Sequence, residues 1–327
     1  MLDQYGKILV TGGCGFIGRH LVRELLSLGK HVTVLDNLAT SVDRSPPDGV
    51  RLVAADIREA SELAAAVNGI DLIFHVAANA SGTISIDNPR FDFETNVVGT
   101  LNMLDAAIQA GTKRFVQVAS ASVYGVPQRF PIDERHPTEP FVPYGASKLA
   151  AERYALTYGT TYGLDVVVGR PVGVYGRGEN PKLALVEVSR FLRWHLNGKP
   201  IQIVGDIERK TRDFVHVSDL VQGLITIAEK APSGEVYNIG SGDEISMREL
   251  TETIAEVTGR EAQIDAVPEI TEDTYRLVAD IAKIRSLGYA PRVSLVEGVR
   301  QLAAELGAAP ELPGGATIFK KGQQAEH

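Results

Sequence analysis

The string TGGCGFIG at positions 11–18 lies between a short apolar run, Lys7–Thr11, and a segment whose apolar residues fall at Phe16, Ile17, Leu21, Leu25 and Leu28. That second spacing is helical, so the glycines occupy a strand-to-helix turn. Gly12 permits the tight turn, Gly15 lets the backbone approach a pyrophosphate, and Gly18 allows the helix to pack closely on the strand. Phe16 and Ile17 then open the helix, whose free N–H groups and positive dipole end face the phosphates. The spacing predicts a dinucleotide site on a βαβ unit that begins with the first strand. Asp36, with Asn37 beside it, ends the next predicted strand, 18 residues after Gly18. A carboxylate there accepts hydrogen bonds from an adenosine ribose and repels a 2′-phosphate, which favours NAD over NADP.

Strands and helices alternate through the first half. Strands are predicted at Lys7–Thr11, 31–35, 50–54, 71–76, 114–119 and 165–170, and helices at 16–28, 61–67, 89–110 and 144–161. Apolar strands separated by helices imply a parallel sheet covered on both faces, a doubly wound α/β (Rossmann) fold. After residue 171 glycine and proline break the pattern. Helices are expected near 183–196, 218–229, 246–257 and 294–304, with strands near 201–204 and 235–239. The expected division is a dinucleotide-binding domain over 1–171, rejoined by later segments, a smaller α/β substrate cap over 172–306, and a flexible tail over 307–327.

Composition narrows the function classes. The net charge is −8 and no run of lysines and arginines is present, so nucleic acid is not an expected partner. No stretch of 18 apolar residues supports a membrane span. Met1 leads into the first strand without a basic-then-apolar leader, and a cytoplasmic location is expected. One cysteine, Cys14, excludes an intrachain disulfide, and the seven histidines lack metal-binding spacing, so no metal is expected.

The candidate chemistry lies in Tyr144-Gly-Ala-Ser-Lys148. Residues four apart share a helical face, which places an ammonium beside a phenol. A neighbouring cation lowers a tyrosine pKa, so Tyr144 is expected to titrate low enough to take a proton from a sugar hydroxyl. The fifth strand ends in VASASVYG at 118–125. Ligands of a doubly wound sheet bind at the carboxyl ends of strands, so Ser120 and Ser122 are expected near the cofactor. His75 and His216, each in an apolar run, read as structural residues.

These motifs, together with Asp56-Ile57, HVAAN (75–79), TNVVGT (95–100), RPVGVYG (170–176), RDFVHVSD (212–219), YNIGSG (237–242) and a closing block at 273–289, carry a resemblance. From about residue 6 to 302 the chain resembles the extended short-chain dehydrogenase/reductase family of NAD-dependent nucleotide-sugar epimerases and dehydratases. The resemblance implies Tyr144 as base, Lys148 as its partner and ribose anchor, and Ser120 as hydroxyl relay. It implies adenine contacts from Asp56 and Ile57, and a cofactor groove lined by Ala77, Ala78, Asn79, Asn96 and Val172. Arg212 would meet the substrate diphosphate, while Ser81, Thr83 and Ser122 would face the sugar. It also implies a homodimer joined through a four-helix bundle of the 89–110 and 144–161 helices.

Within that family, dehydratases place Asp-Glu after the serine, and decarboxylases usually carry a glutamate two residues on. Ala121 and Ser122 stand there instead, so the chain is similar to the nucleotide-sugar 4-epimerases, a class of isomerase. The expected reaction is epimerisation of a UDP-hexose (glucose, galactose or their N-acetyl forms) through a 4-keto sugar. A UDP-glucuronate 4-epimerase or decarboxylase, a 4-keto-sugar reductase, and more remotely a non-catalytic NAD sensor remain open. Two positions depart from the family pattern: Gly173 replaces an asparagine that touches substrate, and a substrate arginine falls on Ile270, for which Arg276 is the nearby candidate. Leu277 lies near a position where a bulky tyrosine excludes N-acetyl sugars, and a leucine there would admit them.

Overall fold

The computed structural model describes residues 1–183, 186–267 and 276–313. Six strands arise in sequence from the apolar runs: β1 (Lys7–Thr11), β2 (His31–Asp36), β3 (Arg51–Ala54), β4 (Leu72–His75), β5 (Arg114–Val118) and β6 (Asp165–Pro171). They pair in parallel in the order β6-β5-β4-β1-β2-β3, and a seventh strand, Val236–Ile239, pairs in parallel with the outer side of β6. The chain therefore leaves the sheet after β6 and returns to it 65 residues later. This is the later segment that the alternation alone did not distinguish from cap strands. The order reverses between β1 and β4, so a crevice opens at their carboxyl ends, the place where doubly wound sheets bind ligands.

Both faces of the sheet are buried. One apolar cluster packs Leu21, Val22 and Leu25 of α1 (Phe16–Ser27) and Leu220 and Leu224 of helix Val217–Lys230 on Ile8, Val10 and Phe74. The other packs Met103, Leu104 and Ala107 of helix Gly99–Ala110 on Leu9, Ile73 and Phe115. A third cluster stands apart from the sheet. It joins Phe191 and Leu192 of helix Glu187–Leu196, Leu250 and Ile254 of Met247–Thr258, and Val299 and Leu302 of Leu295–Leu306. The short parallel pair Ile201–Val204 and Ile264–Val267 also belongs to this part.

Local structure departs from the periodicity in four places. The segment expected as one helix over 61–67 is a 3₁₀ turn, Ala60–Glu62, followed by the short helix Ala64–Val67. The long helix over 89–110 contains a π turn, Glu94–Val98, which carries Asn96. The helix expected from 183 begins at Glu187, and an unexpected helix, Gly82–Asp87, precedes Pro89, with Ser81 capping it. The tail expected to be flexible lies outside the described residues from 314 onward, as do Ile270 and Asp273. No helix among the described residues is long and apolar enough to cross a membrane.

Helix Pro143–Tyr162 is inverted relative to an ordinary amphipathic helix. Its buried face carries Ser147, Lys148 and Glu152, with only alanines and a glycine as neighbours. Glu152 is wholly buried and receives both Arg170 Nε (2.8 Å) and Arg170 Nη2 (2.5 Å) from β6. Arg170 also donates to the Tyr124 hydroxyl (2.9 Å), which donates to Asn238 Oδ1 on the seventh strand (2.6 Å). One buried network thus joins the helix, β6, the turn after β5 and the returning strand. Removing one partner of such a pair leaves a buried charge uncompensated, at about 3–5 kcal/mol. Glu152→Ala is expected to lose that much stability in a urea titration; a loss under about 1 kcal/mol would show that the pair is not the anchor.

Candidate active site

The glycine turn has the geometry its sequence demands. Gly12 has φ +68°, and a Cβ on it would lie 2.9 Å from the backbone of Ala77, just past β4. A Cβ on Gly18 would stand 2.0 Å from the Gly12 carbonyl, so α1 touches the turn through bare backbone. Gly13 is equally restricted, because its Cβ would meet Val34 at 2.5 Å. The sequence reading did not single it out, since it lies off the three-residue spacing. No side chain caps α1 and no acidic residue occupies its first turn. The amides and dipole of that end therefore meet an anion without competition, and the residues present fit a dinucleotide pyrophosphate.

Asp36 closes the far side of the turn. Its Oδ2 accepts the Cys14 N–H (2.9 Å) and its Oδ1 accepts the Leu38 N–H (2.7 Å). The carboxylate braces the loop, and each oxygen has a second lone pair. Burial, and then Asp36, push the Cys14 thiol up to about 11, which makes it a neutral filler. Asn37 Nδ2 donates to Asp56 Oδ2 (2.9 Å). Arg58 holds the Asp56 carboxyl down at about 2 through a two-point contact. The Ile57 side chain is buried against Gly99, so Ile57 can meet a ligand only through its backbone.

The β4 end is organised by a hydrogen-bond chain. Thr11 Oγ1 accepts the Val76 and Ala77 amides (3.1 Å each), so its hydroxyl donates to His75 Nδ1 (2.8 Å). The opposite ring nitrogen then donates to Thr100 Oγ1 (3.1 Å), which donates to the Asn96 carbonyl (2.6 Å). Burial pushes His75 down to about 3, so it is a neutral structural residue. Val76 and Ala77, where β4 gives way to the crevice, are held by this chain.

Beside it lies a polar cluster that the sequence reading reached only in part. Asn79 Nδ2 and Asn96 Nδ2 both donate to Asp92 Oδ1 (2.7 and 3.1 Å). Asn96 Oδ1 accepts the Asn79 amide (2.8 Å), and Asn96 Nδ2 reaches Ser147 Oγ (2.9 Å). Ser147 in turn donates to the Tyr144 carbonyl (3.0 Å). Asn79 and Asn96 were expected; Asp92 and Ser147 were not. Their signal was available: Asp92 precedes Asn96 by four on a helix, and Ser147 lies inside the YGASK string.

Ser120, Tyr144 and Lys148 converge at the carboxyl end of β5. Ser120 follows β5 directly and caps the turn Ala121–Tyr124, accepting the Ser122 amide (3.2 Å). Ser122 Oγ also donates to Ser120 Oγ (2.9 Å). With both contacts accepted, the Ser120 proton is available to the Tyr144 phenol, and that contact pulls the phenol down. The expectation that Lys148 lowers Tyr144 is not met. Burial dominates and raises the phenol, with Asp92 adding to the rise. Lys148 Nζ donates instead to the Val118 carbonyl (2.6 Å), and burial lowers the ammonium to about 8, against the opposing pull of Asp92 and Glu152. Tyr144 itself is half-buried.

The residues expected at the substrate fall into two groups. Ser81 is buried and spends its hydroxyl accepting the Ile84 amide, while Thr83 is half-buried on the same short helix. Arg212 and Leu277 lie on the paired strands Thr211–Arg212 and Arg276–Leu277. Arg276 is half exposed, donates twice to Glu244 (2.5 and 2.6 Å) and stacks on Phe130. Val172 is buried just past β6. Gly173 has φ +26°, and a Cβ there would stand 2.2 Å from the Asp213 carbonyl. The asparagine of the family pattern therefore has no room in this backbone. Gly173→Asn is expected to destabilise the fold by at least about 2 kcal/mol, read as a lowered thermal midpoint; an unchanged midpoint would contradict the close approach.

Comparison with known proteins agrees with this geometry. The model of the NAD dependent epimerase/dehydratase family matches residues 8–240. The UDP-glucose 4-epimerase of Mycolicibacterium smegmatis is 37% identical over 308 residues, covering 90% of this chain and 96% of that protein. A dTDP-glucose 4,6-dehydratase of an Actinoplanes species is 35% identical over 314 residues, covering 91% and 97%. The crystal structure of the Thermus thermophilus UDP-glucose 4-epimerase in complex with NAD superposes with a TM-score of 0.84 at 34% identity, covering 91% of this chain and 98% of that one. The glycine turn, the switch-point crevice and the Ser-Tyr-Lys group thus stand in a chain that belongs to the NAD-dependent epimerase/dehydratase family.

Proposed function

We propose that the chain is a nucleotide-sugar 4-epimerase that acts on a UDP-hexose and keeps its NAD between turnovers. The observation that carries this reading is the pair of residues after Ser120. Ala121 is buried and Ser122 is committed to Ser120, so neither position offers the carboxylate that elimination of water or decarboxylation needs. A relay built from hydroxyls and one lysine suffices to remove and return a proton. UDP-glucose and UDP-galactose, with their N-acetyl forms, are the proposed substrates; the M. smegmatis and T. thermophilus relatives are UDP-glucose 4-epimerases.

In this reading, residues 1–171 with the returning strand hold the cofactor and 172–306 mainly hold the sugar nucleotide. The free amides of Phe16, Ile17 and Gly18 receive the pyrophosphate over the turn shaped by Gly12 and Gly15, whose own amides are given to the Leu35 and Gly12 carbonyls; Asp36 and Asn37 receive the adenosine ribose, and Asp56 with the Ile57 backbone the adenine. Ala77, Ala78, Asn79, Asn96 and Val172 line the groove. NAD, when bound, would supply the hydride acceptor and donor for carbon 4 of the sugar. Tyr144 takes the proton of the 4-hydroxyl, with Ser120 and Ser122 as the hydroxyl chain behind it. Lys148 supplies the positive field and a ribose contact, and the buried Asp92 and Glu152 help keep it charged. Thr83, Ser122, Arg212 and Leu277 are the proposed substrate contacts.

The test is to incubate the purified protein, without added cofactor, with UDP-glucose, UDP-N-acetylglucosamine and UDP-glucuronate and follow products by NMR. Interconversion of a UDP-hexose with its 4-epimer is expected. Release of carbon dioxide, stoichiometric consumption of NADH, or no product from any of them with NAD added would each sink the reading. Tyr144→Phe is expected to lower kcat about 10²–10⁴-fold.

We also propose a cytoplasmic homodimer formed through helices Gly99–Ala110 and Pro143–Tyr162. Phe93, Tyr154 and Tyr162 are 53%, 45% and 60% exposed beside those helices, and large aromatics left in water favour a covering partner. Light scattering should give twice the 35.2 kDa chain mass, and Tyr154→Glu with Tyr162→Glu should give a monomer. A wild-type monomer at micromolar concentration would contradict this.

A further inference from the structure

We propose that residues 176–180 form a clasp that delays release of the cofactor, with Asn180 as the residue that positions the loop after Asp36. The proposal rests on the NAD-retaining reading above and names the residues of this chain that would slow dissociation.

The loop needs outside support. β2 ends at Asp36 and β3 begins at Arg51, with no helix or strand between them. A connection of that length without regular structure is uncommon in a compact domain unless it has a function. It starts at the proposed ribose contacts, Asp36 and Asn37, and Leu38 follows with φ +61°. A leucine keeps that left-handed conformation where its surroundings impose it. Asp36 Oδ1 and Asn37 Oδ1 accept the amides of Leu38 (2.7 Å) and Ala39 (3.1 Å), which are local ties. Longer ones come from two other parts of the chain. Arg19 of α1 pairs with Asp43 (3.0 Å), and Asn180 Nδ2 donates to the Thr40 carbonyl (2.8 Å). Asn180 Oδ1 accepts the Lys182 amide (3.0 Å), so the side chain turns its nitrogen toward Thr40.

The segment that carries Asn180 is itself held on both sides. The Arg177 carbonyl accepts His20 Nε2 of α1 (2.8 Å). A carbonyl only accepts, so Nε2 bears the hydrogen, and burial keeps the His20 ring below its ordinary value. The ring stands edge-on to Phe16, whose amide is one of those proposed to meet the pyrophosphate. On the other side, Glu305 of helix Leu295–Leu306 accepts Arg177 Nε and the Gly178 amide, at 2.8 Å each. Buried Glu179 accepts the Gly176 amide (2.9 Å) and the Ser189 hydroxyl. Several of these ties end on main-chain atoms and therefore fix the path of the backbone. The clasp thus joins the cap helices to α1 and to the loop beside the proposed ribose site. Cofactor release would require that loop to move, and moving it breaks the Asn180 contact first.

Exchange of bound NAD for deuterated NAD in the holoenzyme, followed by mass spectrometry, tests the clasp. Asn180→Asp keeps the acceptor for Lys182 but cannot donate to Thr40. It is expected to speed exchange about threefold to tenfold, the loss of one hydrogen bond. Glu305→Ala, on a helix that carries no proposed cofactor contact, should speed exchange similarly by freeing Arg177 and Gly178. Arg300→Ala removes an exposed pair with Glu297 on the same helix and should stay within about twofold of the wild type. UDP affinity of the NAD-loaded variants should match the wild type. Wild-type exchange in both Asn180→Asp and Glu305→Ala, equal acceleration in Arg300→Ala, or a parallel loss of UDP affinity would each overturn the proposal. Failure of the epimerase reading gives a different result: exchange would follow this pattern while the wild type interconverts no UDP-sugar.

Discussion

The position of the reactive tyrosine depends on a buried ion pair two turns away. Tyr144, Lys148 and Glu152 succeed one another at intervals of four along helix Pro143–Tyr162, and Arg170 of β6 holds the last of them through two nitrogens. The helix also packs through Leu149, Ala155 and Leu156, and apolar contacts of that kind tolerate a small slide. A bidentate guanidinium–carboxylate contact inside the protein does not tolerate such a shift, because displacement leaves two desolvated charges unpaired. The same arginine reaches Tyr124 and, through it, Asn238, so the turn after Ser120 and the seventh strand share that reference point. The register of the site is thus fixed by charge within the fold in addition to the apolar packing around it.

Much of this was legible in the sequence, and the parts that were not share a cause. The glycine turn, six strands and the Ser-Tyr-Lys group could be read because each rests on local rules: Gly18 has no alternative where a carbonyl would meet its Cβ, and apolar strands in a doubly wound sheet follow one another in order. The seventh strand could not be distinguished from cap strands, because its partner, β6, is remote in sequence and its apolar run has no feature of its own. The polar face of helix Pro143–Tyr162 runs against the rule that charged residues face water, so periodicity alone gives no reason to bury Glu152. Asp92 escaped for the complementary reason: it is an ordinary surface residue type until tertiary contacts bring other polar groups around it.

The electrostatics of the reactive group also differ from the simple pair that spacing suggests. Placing a lysine four residues after a tyrosine does not by itself produce an acidic phenol when both are withdrawn from water. Desolvation acts on each separately, raising the phenol and lowering the ammonium. Ser120 opposes the first shift, and the buried carboxylates Asp92 and Glu152 oppose the second. Such a site keeps the proton on Tyr144 in the protein alone. Proton removal accordingly belongs to the step in which the sugar hydroxyl and the positive charge of the oxidised cofactor are both in place.

The central claim is that hydrogen leaves carbon 4 of a UDP-hexose as hydride and comes back to the same carbon. UDP-glucose carrying deuterium at carbon 4 tests it directly. The expected product is UDP-galactose that retains the deuterium fully at carbon 4, with none appearing in water. Loss of the label to solvent during epimerisation would contradict it.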